Sequence, residues 1–198
     1  MEKVIALNIG SYLRSCFGER LIGDAIITHE VDEFSYFVVI DGIGHGPTAE
    51  SISSEIVTYL QSNWIPNPSQ LIENVHSHML GSAGAVIGIS LVNLKKSTLT
   101  FAGLGNISCK ILSDKNTQMV SADGLLGSRY RSVSNSEIKI KRDDLIVMHS
   151  DGVSSTAQIS EMPKLRALSP KVLAKLIVQD YGSEFDDASC LVVKCSLV

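Results

Sequence analysis

The spacing of apolar residues changes character along the chain, and each change predicts an element. Phe34-Ser-Tyr-Phe-Val-Val-Ile40 is rich in aromatic and β-branched residues and predicts a core strand, which ends at Asp41-Gly42. From Ala49 to Trp64 the period becomes helical, with Ile52, Ile56, Tyr59, Leu60 and Trp64 on one face. A second helix starts at Asn67, with Pro68 at its first position and Gln70 where a capping box places it. Leu71, Ile72, Val75, Met79 and Leu80 form its buried face, and Gly81 stops it. A run of strands follows: Ala85 to Val92, Thr98 to Ala102, Ile107 to Leu112, Gln118 to Ser121, Ser136 to Ile140 and Leu145 to His149. A last helix is capped by Ser169 ahead of Pro170, carries Leu173, Leu176 and Ile177, and stops at Gly182. Ala188 to Val198 predicts a closing strand. Helix-spaced segments flanking many strands imply an α+β layered fold, with sheets packed on each other and helices outside. Val153 to Leu168 is the least regular stretch and is expected to form a flap.

Composition narrows this further. The chain has 198 residues, 44% of them hydrophobic and 19% charged, which fits a single domain over 1–198 and excludes a disordered or fibrous chain. A net charge of −4 supplies no overall field for nucleic acid or anionic lipid. Lys95-Lys96 and Lys139 to Arg142 are the densest basic clusters and read as solvated strand ends and turns. Ala83 to Val92 is the most apolar stretch, far short of the roughly 20 residues of a membrane helix, and Met1 to Gly10 lacks the core of a signal peptide. Cys16, Cys109, Cys190 and Cys195 show no C-x-x-C spacing and are expected as buried free thiols in a cytoplasmic protein.

The chemistry lies in where the acids fall. Gly23-Asp24, Asp41-Gly-Ile-Gly-His-Gly46, Ser150-Asp-Gly152 and Asp186-Asp-Ala-Ser189 each put Asp at or beside a strand end. Any one alone reads as an Asx turn or a Gly-containing tight turn. Brought together at one end of a sheet they would repel: at about 4 Å and an effective dielectric of about 20, one pair costs roughly 4 kcal/mol. A hard divalent cation removes that cost, because carboxylate and carbonyl oxygens are what Mg²⁺ and Mn²⁺ prefer. Gly42, Gly44 and Gly46 do not make a dinucleotide turn, since the spacing is not G-x-G-x-x-G and no βαβ alternation follows. They suit instead a backbone that comes close to a metal, with the Gly42 carbonyl as a ligand. His76 and His78 are two apart on a helix and point apart, while His149 alternates into a strand core.

Asp41, Gly42, Ile43, Gly44, Gly46, Ala49 and Ser53 match D-G-hydrophobic-G-x-G-x-x-A-x-x-x-S, Gly103-Leu-Gly105-Asn106 matches G-x-G-N, and Leu126-Gly127 matches a Leu-Gly turn. Asp144 to Gly152 and Asp186 to Ser189 supply the late acidic motifs in order. In these landmarks the chain resembles the PPM-type (2C-class) metal-dependent serine/threonine phosphatases, in their SpoIIE-like branch. Its size and layout are nearest to the small stand-alone phosphatases of stressosome signalling.

The resemblance implies an αββα sandwich of two antiparallel sheets, with two Mn²⁺ or Mg²⁺ ions in a cleft at the sheet edge. Asp41 would bridge both ions, with the Gly42 carbonyl completing one side and Asp151 and Asp186 holding the second. Asp24 would sit near the first through water, and Asp187 would stand behind Asp186 as an outer member of the metal site. His45 is the candidate for protonating the leaving oxygen of phosphoserine or phosphothreonine. The implied substrate is a phosphorylated STAS-domain protein of a partner-switching stress pathway, with no nucleic acid and no membrane involved. An inactive PPM-fold module that grips a phosphoprotein and a small-molecule phosphatase are the alternatives. Arg14 and Arg20 precede Asp24 without matching a phosphate-binding motif, and Gly81-Ser-Ala-Gly-Ala-Val86 lacks the Arg that relatives often carry there.

Overall fold

A computed structural model describes residues 5–154 and 167–197. Ten strands and three helices are present among them: β1 (Ile5–Arg14), β2 (Asp24–Val31), β3 (Phe34–Gly42), α1 (Gly46–Gln61), α2 (Pro68–His78), β4 (Ala85–Asn93), β5 (Thr98–Leu104), β6 (Ser108–Leu112), β7 (Thr117–Met119), β8 (Ser136–Lys139), β9 (Leu145–His149), α3 (Pro170–Tyr181) and β10 (Ala188–Leu197). They form two five-stranded antiparallel sheets, ordered β1-β10-β9-β6-β7 and β2-β3-β4-β5-β8. The expected flap at Val153 to Leu168 lies, for residues 155–166, outside the described residues.

The apolar runs of β3, β4 and β10 follow from burial on both faces. In β3, Phe37 and Val39 point into the core between the sheets, while Val38 and Ile40 point outward under α1 and α2. β10 alternates likewise, with Leu191, Val193 and Cys195 facing the other sheet and Cys190 and Val192 facing α3. The helices therefore cover both outer faces, giving the αββα order. No helix among the described residues is long and apolar enough to cross a membrane.

β1 and β2, which the hydropathy pattern does not separate out, are the main addition. Both are largely half-buried, so neither shows a clean alternation. Gly10 sits within β1 where α3 crosses it: a Cβ there would run into the backbone of Pro170 and Lys171. α1 starts three residues before the expected Ala49, since Gly46 and Pro47 suit a first turn, and stops at Gln61. Trp64, expected on its buried face, instead stacks on His29 at 4.7 Å and tilts against Tyr36. The α2 cap forms by half: Asn67 Oδ1 accepts the Gln70 N–H, but the Gln70 side chain turns to Asn74. Leu80, expected to be buried, lies past the helix end and is 65% exposed. His78 pairs with Glu55 and His76 meets Tyr130 edge-on, so the two imidazoles do point apart. His149 and all four cysteines are buried, the thiols free. Lys95 pairs with Glu33 at a strand end, as a solvated basic cluster should.

Candidate active site

Strand register brings the acids together. Asp24 opens β2 directly opposite Asp41 near the end of β3. In the other sheet, β9 pairs with β10 so that Cys190 faces His149, which sets Asp151 just past one strand beside Asp186 just before the other. Asp41, Asp151 and Asp186 line a cleft of about 310 Å³ together with Ile43, Gly44, His45, Val86, Asn106 and Phe185. Asp24 lies behind them, buried.

Two serines join the sheets beneath this cleft. Ser150 Oγ donates to Asp24 Oδ2 at 2.6 Å, and the Ser189 N–H donates to Ser150 Oγ at 3.0 Å. The serines preceding Asp151 and following Asp187 thus carry a hydrogen-bond chain from one sheet to the other, a role their motif letters did not disclose. The glycines have steric reasons. A Cβ on Gly42 would meet the Ala49 carbonyl oxygen at 2.5 Å, and one on Gly23 would meet the Ala49 side chain at the same distance. Ala49 is small because two strand ends press on it. Gly44 and Gly46 take left-handed φ values of 89° and 71° in the turn that follows.

The electrostatics are those of crowded acids. Asp41 is held well above the ordinary carboxylate range, first by burial and then by the charges of Asp24, Asp151 and Asp186. Burial pushes Asp24 up to about 6 despite the hydrogen bonds from Ser150 and Ser189. Asp186 is raised as well, by burial and by Asp151. Asp24 Oδ1 is buried with no hydrogen-bond partner. An all-oxygen donor set, mutual repulsion and an orphaned carboxylate oxygen together fit a hard divalent cation. Among the described residues no three His, Cys, Asp or Glu side chains already close into a cage, so the acids ring the cleft rather than meet at a point.

Asp187 takes a different place from Asp186. Its Oδ1 accepts the Cys16 N–H at 2.8 Å and its Oδ2 accepts the Gly23 N–H at 2.7 Å, and the side chain is buried. Both oxygens thus accept hydrogen bonds from the β1–β2 loop, and the side chain, standing behind Asp186, tethers that loop. His45 stands on the cleft wall at the N-terminus of α1, with Nδ1 3.0 Å from Glu19 Oε1. Arg14 is spent elsewhere, donating to the Val178 and Ser183 carbonyls at the end of α3. Asn106, which closes the G-x-G-N motif, donates to Asp151 Oδ2 at 2.7 Å and orients that carboxylate. Its function was readable from the motif only as a landmark, because the partner lies 45 residues away.

Two five-stranded sheets, helices on both faces and an acidic cleft where the sheets meet define the PP2C-like phosphatase fold. A family model described as Stage II sporulation protein E (SpoIIE) matches residues 32–196. The chain belongs to this SpoIIE family of PPM-type phosphatases. Phosphoserine phosphatase RsbX from Bacillus subtilis (strain 168) is 20% identical over 139 residues, 69% of this chain and 70% of RsbX. The solved structure of RsbX in complex with magnesium superposes with a TM-score of 0.78 at 18% identity, covering 98% of this chain and 100% of that one. A chain from structural work on the bacterial stressosome, a modular system adapted to control secondary messenger signaling, reaches a TM-score of 0.90 at 28% identity, covering 96% of this chain and 100% of its own.

Proposed function

We propose that the protein is a cytoplasmic, metal-dependent phosphatase that works as one domain and hydrolyses phosphoserine or phosphothreonine on a STAS-domain protein of a partner-switching stress pathway. The observation that carries this reading is the gathering of Asp41, Asp151 and Asp186 at one cleft, with Asp24 buried behind them, from strand ends of both sheets. Asp41, the Gly42 carbonyl, Asp151 and Asp186 would hold two Mn²⁺ or Mg²⁺ ions, with Asp24 behind them through water. Bound there, the ions supply neutralising charge for a phosphate dianion and a water acidic enough to attack at neutral pH.

The remaining work falls to the chain itself. Asn106 fixes the Asp151 carboxylate, and the Ser150–Ser189 pair fixes Asp24 across the sheets. With Nδ1 turned to Glu19, His45 keeps Nε2 as the ring atom that can hand a proton to the departing serine or threonine oxygen. The STAS-domain substrate rests on the likeness to RsbX and to the stressosome chain. Phosphate release from a phosphorylated STAS-domain protein, measured with Mn²⁺, with Mg²⁺ and with chelator, tests the reading. Ion-dependent release that disappears in Asp41→Asn is expected. Equal release with chelator, or a fully active Asp41→Asn, would overturn it.

A further inference from the structure

Phe17 and Phe185 are 84% and 86% exposed, and Leu21 and Ile43 are 42% and 47% exposed. These four stand on three loops at the same end of the molecule. Phe185 and Ile43 line the acidic cleft itself. The Phe17 N–H donates to the Glu184 carbonyl at 2.8 Å, so the backbones that carry Phe17 and Phe185 lie side by side. Asp187 fastens the same two loops from beneath through Cys16 and Gly23. Of the exposed large apolar residues, Ile43 and Phe185 line this cleft, and Phe17 and Leu21 stand on the loop joined to it through Glu184 and Asp187. Single exposed apolar residues are ordinary, but a nearly bare phenylalanine on the wall of a polar cleft, with a second one on the loop hydrogen-bonded beside it, is a contact surface.

Building on the phosphatase reading, we infer that Phe17, Leu21, Ile43 and Phe185 form an apolar collar that receives apolar side chains flanking the phosphorylated residue of a protein substrate. The collar is continuous with the cleft, so whatever places its phosphate among Asp41, Asp151 and Asp186 must lay its neighbouring atoms on Phe185 and Ile43. Glu19, Arg20 and Glu184 lie on the same loops, so their charges largely offset and supply no basic field for an anionic lipid surface or an acidic peptide. An uncharged, apolar flank matches the collar. Exposed aromatics at the rim of a desolvating pocket are the residues that dominate such contacts.

The test uses two fluorescent peptides carrying a non-hydrolysable phosphonate analogue of phosphoserine, one flanked by leucines and one by serine and glycine. Anisotropy titrations of the Mg²⁺-loaded protein should give about tenfold tighter binding of the leucine-flanked peptide. F17S/F185S should bring the two affinities within about twofold of each other. Because both phenylalanines are exposed, the variant keeps the wild-type melting temperature. Equal affinities in the wild type, or a preference that persists in the variant, would overturn the collar. So would a variant whose only change in sedimentation and binding is loss of a dimer, because the patch would then be a contact between copies. Hydrolysis of p-nitrophenyl phosphate by the wild-type protein is scored separately. If that activity is absent while the peptide preference holds, the phosphatase reading fails and the collar stands.

Discussion

Replacing Asp187 by alanine tests the structural reading most sharply. The carboxylate accepts two buried backbone N–H groups, from Cys16 and Gly23, and the alanine side chain offers no acceptor in its place. A hydrogen bond to a charged group contributes about 1.5–3 kcal/mol, and a stranded buried donor costs about 1–3 kcal/mol. Two such losses total about 3–6 kcal/mol. Removing the charge also relieves its repulsion of Asp24 and Asp186, which offsets part of this and favours the lower end. A net loss of about 3 kcal/mol corresponds to a melting temperature lower by about 6–12 °C for a chain of this size. Asp187→Asn keeps one acceptor and should lose about half as much. Urea and thermal unfolding in chelator, followed by circular dichroism, measure both. A shift below 2 °C in Asp187→Ala would refute the tether. Below its melting transition the variant should keep more phosphatase activity than Asp186→Ala, and the opposite ranking would show that the wrong acid of the pair was placed on the metal.

In metal-free protein the raised Asp24 and Asp41 favour the folded state while they are protonated, so stability should fall as pH rises from about 4 through about 6 and beyond. Urea midpoints in chelator across that range check this, and Asp41→Asn should flatten the slope while millimolar Mg²⁺ restores stability at pH 7.5. Asn106→Ala should lower turnover by about 10–100-fold, since it frees the Asp151 carboxylate, yet leave the melting temperature within about 2 °C because Asn106 is exposed. Burial pushes Cys109 and Cys195 up to about 12 and Cys190 upward too, so none of the three should react with Ellman's reagent at pH 8 until urea unfolds the chain.

What the sequence disclosed depended on how locally each feature is encoded. The doubly buried strands β3 and β4 announce themselves by composition, and the Pro-led helix starts at Pro68 and Pro170 by their caps. β1 and β2 were hidden because half-buried strands with a steric glycine carry no strong period. At the site, the acids next to glycine or to another acid were visible as a set, and the fold brings Asp41, Asp151 and Asp186 to one cleft with Asp24 behind them. What separates Asp186 from Asp187 is not local. Two adjacent aspartates in one motif differ only in that Cys16 and Gly23, some 164 to 171 positions earlier, turn their N–H groups toward the second. Glu19 was missed for the same reason, lying 26 residues before the His45 it meets.

The pairing of β1 with β10, whose register joins Ile5 to Leu197 and Arg14 to Ala188, has a consequence for biosynthesis. β10 sits inside its sheet between β1 and β9, so a nascent polypeptide leaving the ribosome holds β1 without this neighbour until β10 has been made. Prematurely terminated products lacking that strand would be cleared as misfolded chains instead of persisting as unregulated hydrolases.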